Sequence, residues 1–203
     1  MIFNVLLNKF IKNFQVLNTF LLFFLIKLLN KLVKNLLMNI SGYIQKKIFF
    51  DYNSIEFDRI LAYYRFKDYK IVFTNGCFDI IHYGHISYLL KASEFGDILI
   101  VGLNSDDSIR RIKGEKRPIF NQESRSMVLA SLLFVSNVVV FNEDTPLKLI
   151  EKIRPNILVK GGDYTEDSII GANFVKSYGG EVKIINYING YSTSKIIEKI
   201  KSF

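Results

Sequence analysis

Apolar residues recur at two spacings along this chain, and from about residue 54 the two spacings alternate in a regular order. Asn53 or Ser54 can cap a helix running to about Phe66, with Ile55, Ile60, Leu61 and Tyr64 facing inward. The β-branched run Ile71-Val72-Phe73 predicts a strand over 70–75, and an amphipathic run predicts a helix over 84–95. Residues 97–103 read as a strand buried on both faces. A polar loop is expected over 104–121, a helix over 122–133 and a strand over 138–141. Thr145-Pro146 opens the next helix, with proline in its first turn, and Arg154-Pro155 ends it. Residues 157–159 predict a strand, and 169–178 a helix closed by Gly179-Gly180. The last strand is expected over 181–186 and the last helix over 193–201. Strands alternating with helices imply an α/β domain: a five-stranded parallel sheet with helices on both faces, its ligands bound at the carboxyl ends of the strands.

Residues 1–37 break this pattern. They are rich in Leu, Phe, Asn and Lys and contain no Gly, Pro or acid. Their longest uncharged run, Asn13 to Ile26, is short for a membrane span. Lys27, Lys31 and Lys34 fall on one helical face, and Leu25, Leu28, Leu32 and Leu36 roughly on another. Such a helix can lie on an anionic membrane surface. No small-residue cleavage site follows where a signal peptide would need one. A plainer reading takes Met38 as the start of the protein. On either reading 1–37 is a basic, apolar extension outside the catalytic domain, which is expected over 43–203.

Charge changes the picture only at this end. Residues 1–50 carry seven lysines and no acid, whereas 51–203 carry 20 basic and 19 acidic residues. The overall charge of +8 therefore belongs to the N-terminus, and a domain close to neutral does not point to a nucleic-acid partner. Cys77 is the single cysteine, so no intrachain disulfide forms, which fits a reducing, cytoplasmic setting. No base or orienting group accompanies it in sequence, so it reads as a small turn residue, and no Cys/His cluster has metal spacing.

The chemistry concentrates after the first long strand. In Thr74-Asn75-Gly76-Cys77-Phe78-Asp79 the chain turns on a glycine, and His82, Gly84 and His85 open the following helix. A strand, a glycine turn and a helix start present free N–H groups and the positive helix end to an anion. Both histidines of the chain sit here, three residues apart. Further candidates follow the other strands. Asn104-Ser105-Asp106 can bond hydroxyls or cap a helix. Lys113 before Gly114 is a candidate phosphate clamp in a cationic loop. Arg125 can fork onto phosphate or pair with Glu123. Lys160-Gly161-Gly162-Asp163-Tyr164 combines close backbone approach with acceptors, and Ser192-Thr193-Ser194 places three hydroxyls at a helix start.

The run ending in His82-Tyr83-Gly84-His85 resembles the HxGH signature of the nucleotidyltransferase superfamily. Taken with Gly102 to Asp106, Lys113-Gly114, Arg117-Pro118, Glu143-Asp144-Thr145-Pro146, Val159 to Tyr164, Ile170-Gly171-Ala172, Gly179 to Val182 and Ser192-Thr193, it resembles the D-glycero-β-D-manno-heptose 1-phosphate adenylyltransferases. The resemblance covers about 43–203 and implies a Rossmann-like nucleotidyltransferase fold. It implies transfer of AMP from ATP, with Mg²⁺, to heptose 1-phosphate, giving ADP-heptose for the lipopolysaccharide inner core. A homo-oligomer is expected. By match to the motifs, Thr74 to Asp79 and Gly84 would cradle ATP, and His82 and His85 would stabilise the transferring phosphoryl group. Lys113, Arg125 and Ser192 to Ser194 would hold the triphosphate. Asp106 and Lys160 to Tyr164 would lie near sugar or nucleotide.

Two positions depart from the family pattern: Ser194 stands for a usual Thr, and Val135-Ser136 for a usual Val-Asp. Many relatives carry a preceding sugar kinase domain; none is recognisable here, so a separate heptose kinase is expected. Two other readings remain open: a cytidylyltransferase acting on glycerol 3-phosphate or a similar alcohol phosphate, and a non-catalytic, membrane-attached nucleotide-binding protein. No catalytic motif lies before Thr74, so a chain starting at Met38 is expected to keep its activity and gain solubility. Loss of turnover at saturating substrate would make 1–37 part of the catalytic unit.

Overall fold

A computed structural model describes residues 21–34, 40–162, 165, 168–186 and 190–203. Two units are distinct, Met1–Tyr43 and Ile44–Phe203. In the first, 21–34 form a helix whose apolar side chains are exposed, Phe23, Phe24 and Leu29 by more than half. No described helix is long and apolar enough to cross a membrane.

The second unit is built on six parallel strands: β1 (Ile48–Phe49), β2 (Ile71–Gly76), β3 (Ile98–Asn104), β4 (Asn137–Phe141), β5 (Ile157–Gly161) and β6 (Glu181–Ile185). Their order across the sheet is β1-β4-β3-β2-β5-β6. Helices α1 (Ile55–Phe66), α2 (Tyr83–Ser93), α3 (Asp106–Lys113), α4 (Gln122–Ala130), α5 (Leu147–Ile153), α6 (Ala172–Ser177) and α7 (Thr193–Lys201) alternate with them. The period-2 rule divides each strand between two cores. Ile71, Phe73 and Ile100 pack with Phe57 and Leu61 of α1, Leu149 and Ile150 of α5 and Val175 of α6. Val72, Leu99, Val101 and Leu103 pack on the other face with Leu89 of α2 and Leu129 of α4. β2 has β3 on one side and β5 on the other, so the crevice at its carboxyl end is where such a sheet reverses direction and takes ligands.

Five expectations change. The sheet has a sixth strand because the short segment Ile48–Phe49 pairs with Val138 and Val139; two residues show no period. The expected loop over 104–121 contains α3. Ser105 caps it through Ser108 N–H at 3.1 Å, Asp106 and Asp107 lie in its first turn and three cations in its last, so caps and dipole rather than an apolar stripe define it. α4 ends at Ala130 rather than 133, and α6 is confined to Ala172–Ser177 behind Gly171. In α1 the inward set is Phe57, Leu61 and Tyr64, while Ile55 is exposed.

Gly102 in β3 has no room for a side chain. It pairs with Asn75, and a Cβ there would stand 2.8 Å from the Phe73 ring and 3.2 Å from Asn75 Cβ. Gly102→Ala is expected to lower stability by about 1–3 kcal/mol through overpacking, read as a lower urea midpoint at unchanged slope. An unchanged midpoint would show that Phe73 can yield.

Candidate active site

β2 ends at Gly76, and the chain passes through Cys77 and Phe78 before α2 begins. Phe78 is buried in the left-handed region at φ 44°, and its ring lies where a Cβ on Gly76 would be, at 3.0 Å. The turn therefore closes on a buried ring and leaves its backbone facing the crevice. His82 is the N-cap of α2 in extended conformation. Its side chain makes no capping bond and the first turn holds no acid, so the positive end of the helix is left to an anion. Gly84 keeps this end open to the last motif: a Cβ on it would meet Tyr191 Cβ at 3.1 Å and the His82 ring at 3.2 Å. Tyr191 stands 6.3 Å from the His82 ring and 5.3 Å from the Tyr83 ring. Ser192 and Thr193 follow it at the start of α7. The first and last motifs, more than 100 residues apart in sequence, thus form one site.

The two imidazoles are stacked, with ring centroids 3.9 Å apart and planes at 23°. Nδ1 of both is buried without a hydrogen-bond partner among the described residues. Burial pushes the His85 pKa down to about 4, helped by the charges of His82 and Lys113 and opposed by the Ile80 carbonyl. Burial also lowers His82. Burial thus favours the neutral form of both rings, in which each imidazole offers one N–H donor and one acceptor.

The cations divide into two kinds. Lys113 ends α3 just before Gly114, exposed, with its charge felt at His85. Lys160 donates to Asn75 Oδ1 at 3.1 Å, bridging β5 and β2 across the crevice, and burial lowers its pKa. Gly161 ends β5 beside it. Arg125 is different: it is 1% exposed, and its guanidinium donates to Cys77 O (2.6 Å), Asn104 O (2.9 Å), Phe120 O (3.0 Å) and Asp106 Oδ1 (2.7 Å). In this structure Arg125 and Asp106 are each other's partners, and Arg125 supports the site from below.

Thr74 and Asp79 also face the protein. The Thr74 hydroxyl shares a 2.5 Å hydrogen bond with Tyr88 OH, which donates to Val159 O at 3.2 Å. Asp79 is 3% exposed and accepts from Arg117 Nε (2.6 Å) and from the N–H groups of Ile119 (2.8 Å) and Phe120 (3.0 Å). The structure thus brings together Asn75, Gly76, Cys77, Gly84, His82, His85, Lys160, Gly161, Ser192 and Thr193, with Lys113 at the margin. Asp163, Tyr164 and the side chain of Ser194 lie outside the described residues.

Tyr88, Tyr191 and Arg117 were not singled out as site residues by sequence reasoning. Tyr88 looks like any polar edge of an amphipathic helix, whereas Tyr191 and Arg117 sit inside recognisable motifs. A cavity of about 270 Å³ opens beside the histidine helix, lined by Gly84, Ser87, Tyr88, Lys91, Ile184 and Asn186. A second, of about 310 Å³, lies at the carboxyl ends of β1 and β4. There Tyr52 donates to Glu143 Oε1 at 2.5 Å, and burial with that carboxylate pushes its pKa up to about 12. No group of three or more His, Cys, Asp or Glu among the described residues could hold a metal ion.

The depressed His85 pKa has a consequence for stability. The unfolded ring takes a proton near 6.5 while the folded one resists until about 4, so the unfolded state binds more protons between those values. The contribution of His85 is therefore present above 6.5 and is lost as pH falls toward 4. His85→Gln is expected to flatten the fall in urea midpoint across this window. Equal pH dependence in both proteins, or a His85 proton resonance titrating near 6.5, would refute the burial argument.

Residues 73–199 match the family described as cytidylyltransferase-like. The chain is similar to the protein named "Bifunctional protein HldE" in Geobacter sulfurreducens, 57% identical over 141 residues, covering 70% of this chain and 29% of that protein. The protein of the same name in Campylobacter jejuni subsp. doylei is 50% identical over 157 residues, covering 74% and 33%. The chain thus spans no more than about a third of the curated relatives it matches. Among solved structures, a pantoate-beta-alanine ligase from Francisella tularensis complexed with beta-gamma ATP and beta-alanine superposes with a TM-score of 0.50 at 14% identity, covering 77% of this chain and 78% of that one, a likeness of fold. With the sheet, the glycine turn and the paired histidines in place, the match over 73–199 shows that this chain belongs to the cytidylyltransferase-like family.

Proposed function

We propose that this chain transfers the adenylyl group of ATP to D-glycero-β-D-manno-heptose 1-phosphate, releasing pyrophosphate and forming ADP-heptose for the lipopolysaccharide core. The observation that carries a nucleotidyl transfer is the stacked pair His82 and His85 at an uncapped helix start, both Nδ1 atoms buried and without a partner among the described residues. An oxygen of the sugar phosphate attacks the α-phosphorus of ATP in line. The new P–O bond forms as the bond to the bridging oxygen breaks, and that electron pair leaves with pyrophosphate. The chain needs no nucleophile of its own; it must hold the reactants and meet charge developing on the bridging and leaving oxygens. The imidazole N–H groups and the N–H groups of the Gly76 turn meet that charge, Lys113 and the hydroxyls of Ser192 to Ser194 hold the triphosphate, and Lys160 to Tyr164 with Asn75 approach nucleoside or sugar. Mg²⁺ enters as part of the nucleotide substrate.

ATP and the heptose are supported by the motif resemblance and by 50–57% identity to proteins named HldE, of which this chain matches one part. A cytoplasmic setting is supported by Cys77 having no disulfide partner. The family description supports a second reading with CTP as donor, for which the acceptor would be an alcohol phosphate such as glycerol 3-phosphate.

The test is the initial rate of pyrophosphate release, with ATP or CTP crossed against heptose 1-phosphate or glycerol 3-phosphate. ATP with the heptose is expected to give the highest kcat/KM, and sites built for hydroxyls should reject glycerol 3-phosphate strongly. A preference for CTP with glycerol 3-phosphate would overturn the substrate assignment. His85→Ala is expected to fold and to lower kcat by about 10²–10³-fold, the loss typical of one preorganised donor. Unchanged turnover in the folded variant would remove His85 from the mechanism.

A further inference from the structure

Between α3 and α4 the chain runs from Gly114, whose φ is +91°, to Asn121, and the two ends of this loop are held unequally. Residues 114–116 are exposed. Residues 117–120 are pinned by two buried charges of opposite sign. The Asp79 carboxylate takes the Arg117 guanidinium and the N–H groups of Ile119 and Phe120, while Arg125 takes the Phe120 carbonyl. Asp79 has a side chain 1% exposed, with both oxygens engaged by this loop, and Arg117 is 16% exposed. A carboxylate so deeply buried is normally held by partners of this kind, and removing one of them leaves an uncompensated charge. Asp79 itself stands three residues before His82. The turn that carries the histidines and the loop that follows Lys113 are thus joined through one carboxylate.

We propose that Asp79 is a positioning residue: its carboxylate latches 117–120 across the phosphate turn and so sets where the Lys113 ammonium stands relative to His82 and His85. Lys113 is the last residue of α3, and beyond it only the exposed 114–116 stretch separates it from the latched segment. Its charge already reaches His85, one of the causes of the lowered pKa there. Without the Arg117 ion pair the segment keeps the Ile119 and Phe120 N–H bonds to Asp79, the Arg125 bond to Phe120 O and the Arg117 N–H bond to Gly114 O, but it loses its charge-assisted contact, and local opening at the Gly114 end becomes easier. The idea rests on the reading that Lys113 meets the triphosphate; the latch itself does not.

Two readouts separate the latch from that reading. The first is limited trypsinolysis of the full chain, following cleavage after Lys113 and Lys116. Arg117→Ala, at a partly exposed position, and Asp79→Asn are each expected to speed this cleavage by about 10-fold, because local opening becomes easier. Arg117→Lys should restore much of the protection. Unchanged cleavage in both Arg117→Ala and Asp79→Asn would overturn the latch. The second readout is pyrophosphate release. Arg117→Ala is expected to lower kcat by up to about 10²-fold, the scale of a small misplacement. In a Lys113→Ala background the same substitution should cost nothing further, because the two act as one unit. Losses that multiply in the double variant would mean that Asp79 or Arg117 acts independently of Lys113, and would overturn the positioning role. If the wild-type chain releases no pyrophosphate from any substrate pair, the proposed function fails while proteolysis still decides the latch.

Discussion

The guanidinium of Arg125 is the contact on which the site's geometry depends. It is almost fully enclosed and holds three backbone carbonyls, from Cys77 after β2, from Asn104 at the end of β3 and from Phe120 before α4, together with the Asp106 carboxylate. Strand ends in a parallel sheet leave carbonyls that the ladder no longer satisfies, and buried ones must find donors. One side chain with a rigid fork of donors answers two of them, and the Phe120 carbonyl before α4 as well. The cost of burying its charge is offset by Asp106, so the pair is interdependent: either charge alone in this place would be strongly unfavourable. Loops that diverge in sequence are thereby gathered over one point, and the phosphate turn inherits its shape from that gathering.

The sheet, its helices and the position of the crevice were legible because they rest on local signals. Ile71-Val72-Phe73 before a glycine turn, the apolar run of β3 and the Pro and Gly punctuation each mark an element without reference to the rest of the chain. α3 was not legible in this way. Of its residues only Ser108 and Ile109 are buried and five of the eight are charged, so its apolar side is confined to Ile109 and the half-exposed Ile112, and its clearer evidence lay in Ser105 and in the order of its charges. β1 exists only by pairing with β4.

The site was legible at the level of which segments converge, less so at the level of which atoms face the ligand. Asp106 and Arg125 are 19 residues apart, and Asp79 and Arg117 are 38 apart; nothing local announces that each pair will close on itself. A motif preserves both the groups that touch a substrate and those that hold the groups that touch it, and sequence alone does not separate them. Burial does: His82 and His85 keep buried ring nitrogens without partners, whereas Thr74, Asp79 and Arg125 have all found protein partners.

The hydroxyl relay from Thr74 through Tyr88 to Val159 O crosses from β2 to α2 to β5 in two steps. A helix held only by apolar side chains can slip or rotate slightly on a sheet, because dispersion contacts are not directional. Tyr88 removes that freedom one turn after Gly84, in the same helix that presents both imidazoles. The histidines are therefore indexed to the strands rather than to the loops. Any rearrangement that accompanies entry or exit of a ligand must then be carried by the walls of the crevice, over a floor that stays in register.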